Sequence, residues 1–178
     1  MVLKMAKFNI NEATLQPKPI SELITSGIYA ARIIHVVDIG EYAFNTYSSP
    51  KPSLMFTLQL TSGALITKLV THSYHEKSTL ISIMSCLDGI ESASDLLNQK
   101  LVIEVKENGQ WPNVVGYSAI EYYDEFEQVE FPDKECVLLF PSDGEDQVNV
   151  KENLALIQTL PADIKKIMLR ARSKKGAL

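Results

Sequence analysis

Cysteine is scarce in this chain, with only Cys86 and Cys136 among 178 residues. Two cysteines make no disulfide framework, so the expected setting is reduced and intracellular. Long apolar runs are missing too. No stretch approaches the roughly 18 residues of a membrane-spanning helix, and mean hydropathy is -0.00, which excludes a transmembrane helix. The opening residues, Met1 to Pro17, lack the basic, apolar and small-residue sequence of a secretory leader. Catalytic signatures are absent: there is no Walker-type phosphate loop, GxGxxG, HExxH or GxSxG. Neither an enzyme nor a cofactor is expected. No repeat or low-complexity tract occurs. An excess of positive charge is lacking as well. The formal net charge is -5 and the pI about 5.2, which argues against a plainly basic nucleic-acid binder.

What is present is an ordinary globular balance, 46% apolar and 22% charged. The length suits one domain that buries its core without a disulfide or metal staple. The charge is unevenly spread. Residues 121–147 hold ten acids against Lys134, a net of -9, whereas residues 148–178 hold seven basic and two acidic residues, a net of +5. Residues 27–120, with six basic and eight acidic residues, are nearly neutral and can carry a local basic groove. The acidic stretch reads either as a solvated loop or as a segment that docks a partner or screens the protein's own surface.

The hydropathy pattern divides the chain into a lead-in (1–26, irregular over 1–20), a β-rich body (27–120), and an acidic segment with short helices (121–178). Residues 28–37 are rich in β-branched side chains and apolar on both faces, and Gly40 marks an end or bend. Leu54, Phe56, Leu58 and Leu60 alternate with Ser53, Met55, Thr57 and Gln59, which predicts a strand burying one face. Thr61-Ser62-Gly63 is a hairpin-length turn into a third strand, Ala64 to His72. Lys68 and His72 share a face with Ile66 and Val70 there, and parity leaves open which face is inside. Ser73 and Glu76 fit a capping box. Leu80, Ile83, Met84 and Leu87 follow at helical spacing, so a helix is predicted over 74–87, with Gly89 as its stop. Residues 92–99 suit a short helical turn. Leu101, Ile103 and Val105 begin a fourth strand, Asn108-Gly109 a hairpin, and Trp111 to Ala119 a fifth strand, with Pro112 suggesting an edge. Tyr117, Tyr122 and Tyr123 lead out of the body and are expected to pack under the tail. Leu154, Ile157 and Leu160 mark a small helix. Pro161 opens another, with Ile164, Ile167 and Met168 on one side.

The order β-β-β-α-β-β is that of the OB-fold, a five-stranded Greek-key barrel with a helix between strands 3 and 4. The expected fold class is therefore mainly β, an OB barrel followed by the acidic segment and short helices. Such barrels bind ligands on strands 2 and 3 and on the loops joining strands 1–2 and 4–5. Single-stranded DNA needs flat aromatic faces for the bases and cations for the phosphates. Tyr42, Phe44, Tyr47 and Lys51 lie in the first loop. Lys68 and His72 lie on strand 3, Tyr74 and Lys77 at the helix entry, and Lys106 and Trp111 beside the 4–5 hairpin. Each also has a plain structural reading as a loop anchor, a surface phenol or an exposed strand lysine. Tyr29 and Arg32 read as structural. His72, His75 and Cys86 form too sparse a set for zinc, so no metal is expected.

Beyond these patterns, the segment Tyr29-Ala30-Ala31-Arg32 through Asp38-Ile39-Gly40 resembles the first strand of a bacteriophage family of OB-fold single-stranded DNA-binding proteins. Pro50-Lys51-Pro52, Leu54-Met55-Phe56-Thr57-Leu58 and especially His75-Glu76-Lys77-Ser78 are similar to that family's motifs. So are the closing hairpin around Pro112-Asn113-Val114 and Gly116-Tyr117-Ser118, and Leu160-Pro161 with its amphipathic helix. The chain departs from the family in having few lysines in the first loop and a basic segment, Arg170 to Lys175, near its end. The resemblance implies sequence-independent binding of single-stranded DNA in phage replication or recombination, in the cytoplasm of a bacterial host. It also implies contacts with replication or recombination proteins through 121–178. The alternative is a protein-interaction module on the same barrel, working through its acidic C-terminal region.

Overall fold

A computed structural model describes residues 24–43, 49–108 and 111–176; the lead-in expected over 1–20 lies outside them. The chain is mainly β. Strands β1 (Gly27–Tyr42), β2 (Lys51–Leu60), β3 (Leu65–Thr71), β4 (Lys100–Asn108) and β5 (Trp111–Ala119) pair antiparallel in the order β3-β2-β1-β4-β5. A sixth strand, β6 (Val137–Leu139), joins the same sheet parallel to β1. The first five lie where the alternating and β-branched runs place them. No ladder joins β3 to β5 among the described residues, so the sheet is open along that line.

β1 organises the sheet. Its Gly27–Arg32 half pairs with β4, while Ala31–Tyr42 pairs with β2. Beyond Arg32, β4 no longer lines β1, and β6 takes that side opposite His35, Val36 and Val37. The β1–β2 register shifts between Ile33 and His35 and again between Asp38 and Gly40; such irregularities bend a strand and increase its twist. At the second bend Gly40 has φ +74°, and its N–H donates to Asp38 Oδ1 at 2.8 Å. A Cβ there would approach the Gln147 side chain to 3.3 Å, so both conformation and space favour glycine.

The inner face of the sheet builds the main core from Ile33, Leu54, Phe56, Leu58, Ile66, Val70, Leu101, Ile103 and Val114. Helix α1 (Thr79–Met84) closes one end of it with Leu80 and Ile83. The apolar stripe thus faces inward as its spacing predicts, but the helix is shorter than 74–87. Its N-cap is Ser78, whose Oγ accepts from Ile81 N. The Ser73–Glu76 capping box does not form. Ser73 Oγ instead accepts from His75 N, and Ser73 O accepts from Ser78 Oγ at 2.7 Å. These bonds hold 73–78 as a turn, because side chains that bond nearby backbone compete with the helix. Past Met84, Cys86 and Leu87 make tighter bonds to Ile83 and Met84, and Gly89 takes φ +74°. The capping box that does form is Ser92–Asp95, on a single 3-10 turn at Ala93–Leu96.

β2 buries both faces, not one: Ser53, Thr57 and Gln59 are 0%, 0% and 2% exposed. The cover is the part of the chain after residue 120. Within the acidic segment, where only short helices were expected, Val137–Leu139 forms β6. Helices α2 (Leu154–Ile157) and α3 (Ala162–Gly176) follow. Val137, Leu139, Val148, Val150, Ile157, Leu160, Ile164 and Met168 form a second core with Val37, Ile39 and Met55. Leu154, expected on the buried stripe with Ile157, is exposed. Tyr122 does not pack under the tail either, being 81% exposed.

Candidate nucleic-acid interface

One rim of the sheet gathers five of the ten candidate residues. Tyr42 ends β1 and lies opposite Lys51, the first residue of β2. His72 follows β3, and its N–H donates to Pro52 O at 2.7 Å, tying β3 to the start of β2. Tyr74 and Lys77 follow in the turn before α1. Phe44 and Tyr47 lie outside the described residues.

Tyr74 is the best-held aromatic here. Its hydroxyl accepts from Ala93 N at 3.2 Å and lies 3.2 Å from His72 Nε2. The residue is nevertheless 50% exposed. His72 packs edge-on against Tyr74 at 5.5 Å and against Phe140 at 6.3 Å, and its Nδ1 is 3.8 Å from Asp38 Oδ2. A half-exposed ring with its polar end tied down is a rigid platform. Rigid aromatic platforms lose little conformational entropy when a flat ligand stacks on them. Beside it, Thr71, Ser73, His75, Lys77, Ser78 and Thr79 line an open polar cleft of about 340 Å³. His75 Nδ1 accepts from Lys77 N, which fixes the imidazole at the cleft edge. The rim therefore offers aromatic faces, one or two cations and several hydroxyls. Among the described residues no three His, Cys, Asp or Glu side chains form a metal-binding group.

The remaining candidates lie elsewhere. Lys68 is on the inner face, between Ile66 and Val70, and its Nζ donates to Val114 O at 3.3 Å. That bond spans the open line between β3 and β5. Burial lowers the Lys68 amine below its ordinary pKa. Lys106 lies opposite Asn113 in the β4–β5 hairpin, at the Gly27 end of β1 and away from Lys51. Trp111 opens β5 opposite Asn108.

Arg32 is structural, as its place in β1 suggested. It donates to Gln59 Oε1 at 2.7 Å and to Pro132 O at 2.9 Å, and its guanidinium lies 5.7 Å from the Phe131 ring centroid. Lys100 lies over the same ring at 5.8 Å. The strap around Phe131 and Pro132 therefore engages two of the body's cations. Where the strap continues into β6, His35 of β1 shares a 2.8 Å hydrogen bond with Thr57 Oγ1. Burial, assisted by the charge of Lys134, pushes the His35 ring down to about 4 against a hydrogen bond to the Glu135 backbone. Thr67 on the outer side of β3 donates to Asp163 Oδ2 of α3 at 2.7 Å. The middle of the β2–β3 outer face is thus covered by the chain itself, and the rim is what stays open. Phe140 was not legible as part of this site, because its approach to His72 depends wholly on β6 docking against β1.

No family model matches the chain, and no curated protein matches it in sequence.

Proposed function

We propose that the chain is a sequence-independent single-stranded DNA-binding protein of the bacteriophage type, built on an OB-like barrel and serving DNA replication or recombination without catalysis. The observation that carries this reading is the rim where Tyr42, Lys51, His72, Tyr74 and Lys77 converge, with Tyr74 half-exposed and pinned through its hydroxyl. Support for the barrel comes from the strand order and from α1, which packs on both β3 and β5. The Lys68–Val114 bond adds to it by bridging the two strands whose pairing would close such a barrel. Stacking contributes about 1–3 kcal/mol per base, and phosphate contacts add a salt-dependent part. The ligand's path runs along the rim, because the centre of the outer strand face is occupied.

The test is titration with oligo-dT at low and moderate salt, followed by gel shift and by Trp111 fluorescence. Saturable, salt-sensitive binding is expected. Tyr74→Ala should weaken it about tenfold or more, in line with the loss of one stacked base. Lys68→Met, whose amine is committed to Val114 O, should leave affinity within about twofold. No binding by the wild type at low salt overturns the reading.

A second reading, a protein-interaction module acting through the acidic region, has one observation in its favour. Tyr122 and Phe126 are exposed among the acids of 121–130, and exposed aromatics serve as interface anchors. A double Tyr122→Ala, Phe126→Ala variant that loses a protein partner while keeping oligo-dT affinity assigns that surface to protein contact.

A further inference from the structure

We propose that Arg32, Gln59 and Lys100 form a nucleotide seat apart from the rim, which Phe131 and Pro132 of the strap occupy until single-stranded DNA displaces them. The inference rests on the single-strand reading above and deepens it with a second contact and its regulation.

The three residues form one row across the sheet. Arg32 of β1 is the register partner of Gln59 on one side and of Lys100 on the other. Gln59 lies near the end of β2 remote from Lys51, so the row is separate from the rim. Like charges directly opposite one another destabilise a sheet, and Arg32 and Lys100 are such a pair. Neither forms an ion pair among the described residues, although Glu130 and Asp133 flank the Phe131-Pro132 step in the chain. An aromatic face and a carbonyl stand in for the missing anion. The Phe131 ring centroid lies 5.7 Å from the Arg32 guanidinium and 5.8 Å from Lys100 Nζ. Pro132 O accepts from Arg32 Nη2 at 2.9 Å and from Gln59 Nε2 at 3.1 Å. Gln59 Oε1 in turn accepts from Arg32 Nε at 3.1 Å and Nη2 at 2.7 Å, which aims the guanidinium from within the sheet.

What fills this seat has the chemistry of a nucleotide. A flat ring lies on two cations, a carbonyl oxygen takes two convergent donors, and carboxylates precede and follow. A thymidine or cytidine nucleotide in a strand offers the same groups: a ring, a ring carbonyl and a phosphate on each side. The phosphates supply the anion that Arg32 and Lys100 lack. Cation–π contacts near the surface are weak, whereas charge-assisted bonds from Arg to phosphate are strong. Strap and DNA are therefore alternatives on one site, and affinity is reduced by the fraction of the protein whose seat is closed.

The experiment measures oligo-dT affinity at low salt for the full chain as wild type, Phe131→Ala, Lys100→Gln and the double variant. Phe131→Ala should bind about fivefold tighter than wild type, because the ring no longer holds the seat closed. Lys100→Gln alone should stay within about twofold, since it weakens the lock and the seat together, and in the double variant the gain should disappear. Phe131→Ala binding at wild-type strength or weaker, or a double variant that keeps the gain, overturns the proposal, while wild-type binding preserves the single-strand reading. Absence of binding by both wild type and Phe131→Ala overturns both. Should Phe131→Ala melt early, hydrogen exchange of the wild type with and without saturating oligo-dT decides. Faster exchange of the amides in 129–135 on binding is expected, and unchanged or slower exchange there overturns the proposal.

Discussion

The two cores use opposite faces of the same strands, yet they are assembled by different means. The inner core joins β1 to β5 and α1, elements adjacent along the chain, and β2, β3 and β4 contribute by simple alternation. The outer core brings β1 and β2 against residues 137–168, about a hundred positions away. Alternation prepares the inner face visibly, with Leu54, Phe56, Leu58 and Leu60 in register. The outer face of β2 reads Ser53, Met55, Thr57 and Gln59, a pattern that looks solvent-facing. It is buried because β1 and the strap together satisfy its polar groups. Thr57 meets His35, and Gln59 donates to Pro132 O while accepting from Arg32. Polar residues are tolerated at full burial when hydrogen-bonded. A polar strand face is therefore no sign of exposure, and here it marks where the protein docks its own C-terminal region.

The sharpest way to break this comparison is to weaken each core once. Ile103→Ala and Ile164→Ala each remove a fully buried side chain, and each should cost about 3 kcal/mol. Urea unfolding should then show one transition shifted for both. An Ile164→Ala protein with an early minor transition and an unmoved main one would make the outer core a separable layer.

A comparable effect is expected from acid. The folded His35 ring titrates at about 4 against an ordinary 6.5. Between those values the unfolded chain binds a proton that the folded one refuses. His35 therefore favours the folded state fully above pH 6.5, and that advantage is lost as the pH falls toward 4, by up to about 3 kcal/mol. His35→Gln should flatten the wild type's stability slope across this window; parallel slopes for the two proteins would show that the strap does not seal the imidazole.

The smallest expected effect belongs to the inner core. The Tyr117 hydroxyl is buried without a hydrogen-bond partner among the described residues, and burial raises its pKa, with Cys86 contributing. Tyr117→Phe should stabilise the protein by about 1 kcal/mol. A lower urea midpoint would mean that the hydroxyl is satisfied.

Much of the fold is legible in particular residues. The β-branched run from Ile28, the alternation from Leu54, the Asn108-Gly109 turn and the stripe of Leu80 and Ile83 each dictate an element by local physics. The limits of α1 were not legible, because Ser73 and Ser78 both offer a cap and only the surrounding turn selects Ser78. About half the candidate site was legible. Tyr42 and Lys51 meet by hairpin register, and His72, Tyr74 and Lys77 follow from the end of β3. Lys68 was ambiguous because a lysine between Ile66 and Val70 fits either an exposed face or an open seam it can reach across.

The sequence by itself determined the strand order, the inner core and the placing of acidic and basic charge in separate C-terminal segments, since these rest on periodicity and composition. The tertiary structure alone decided that Val137–Leu139 is a strand and that the outer face of β2 is dry. The reason is physical. A three-residue strand and a polar face carry no stability of their own, and they take form only where β1, past Arg32, leaves an unpaired edge beside them.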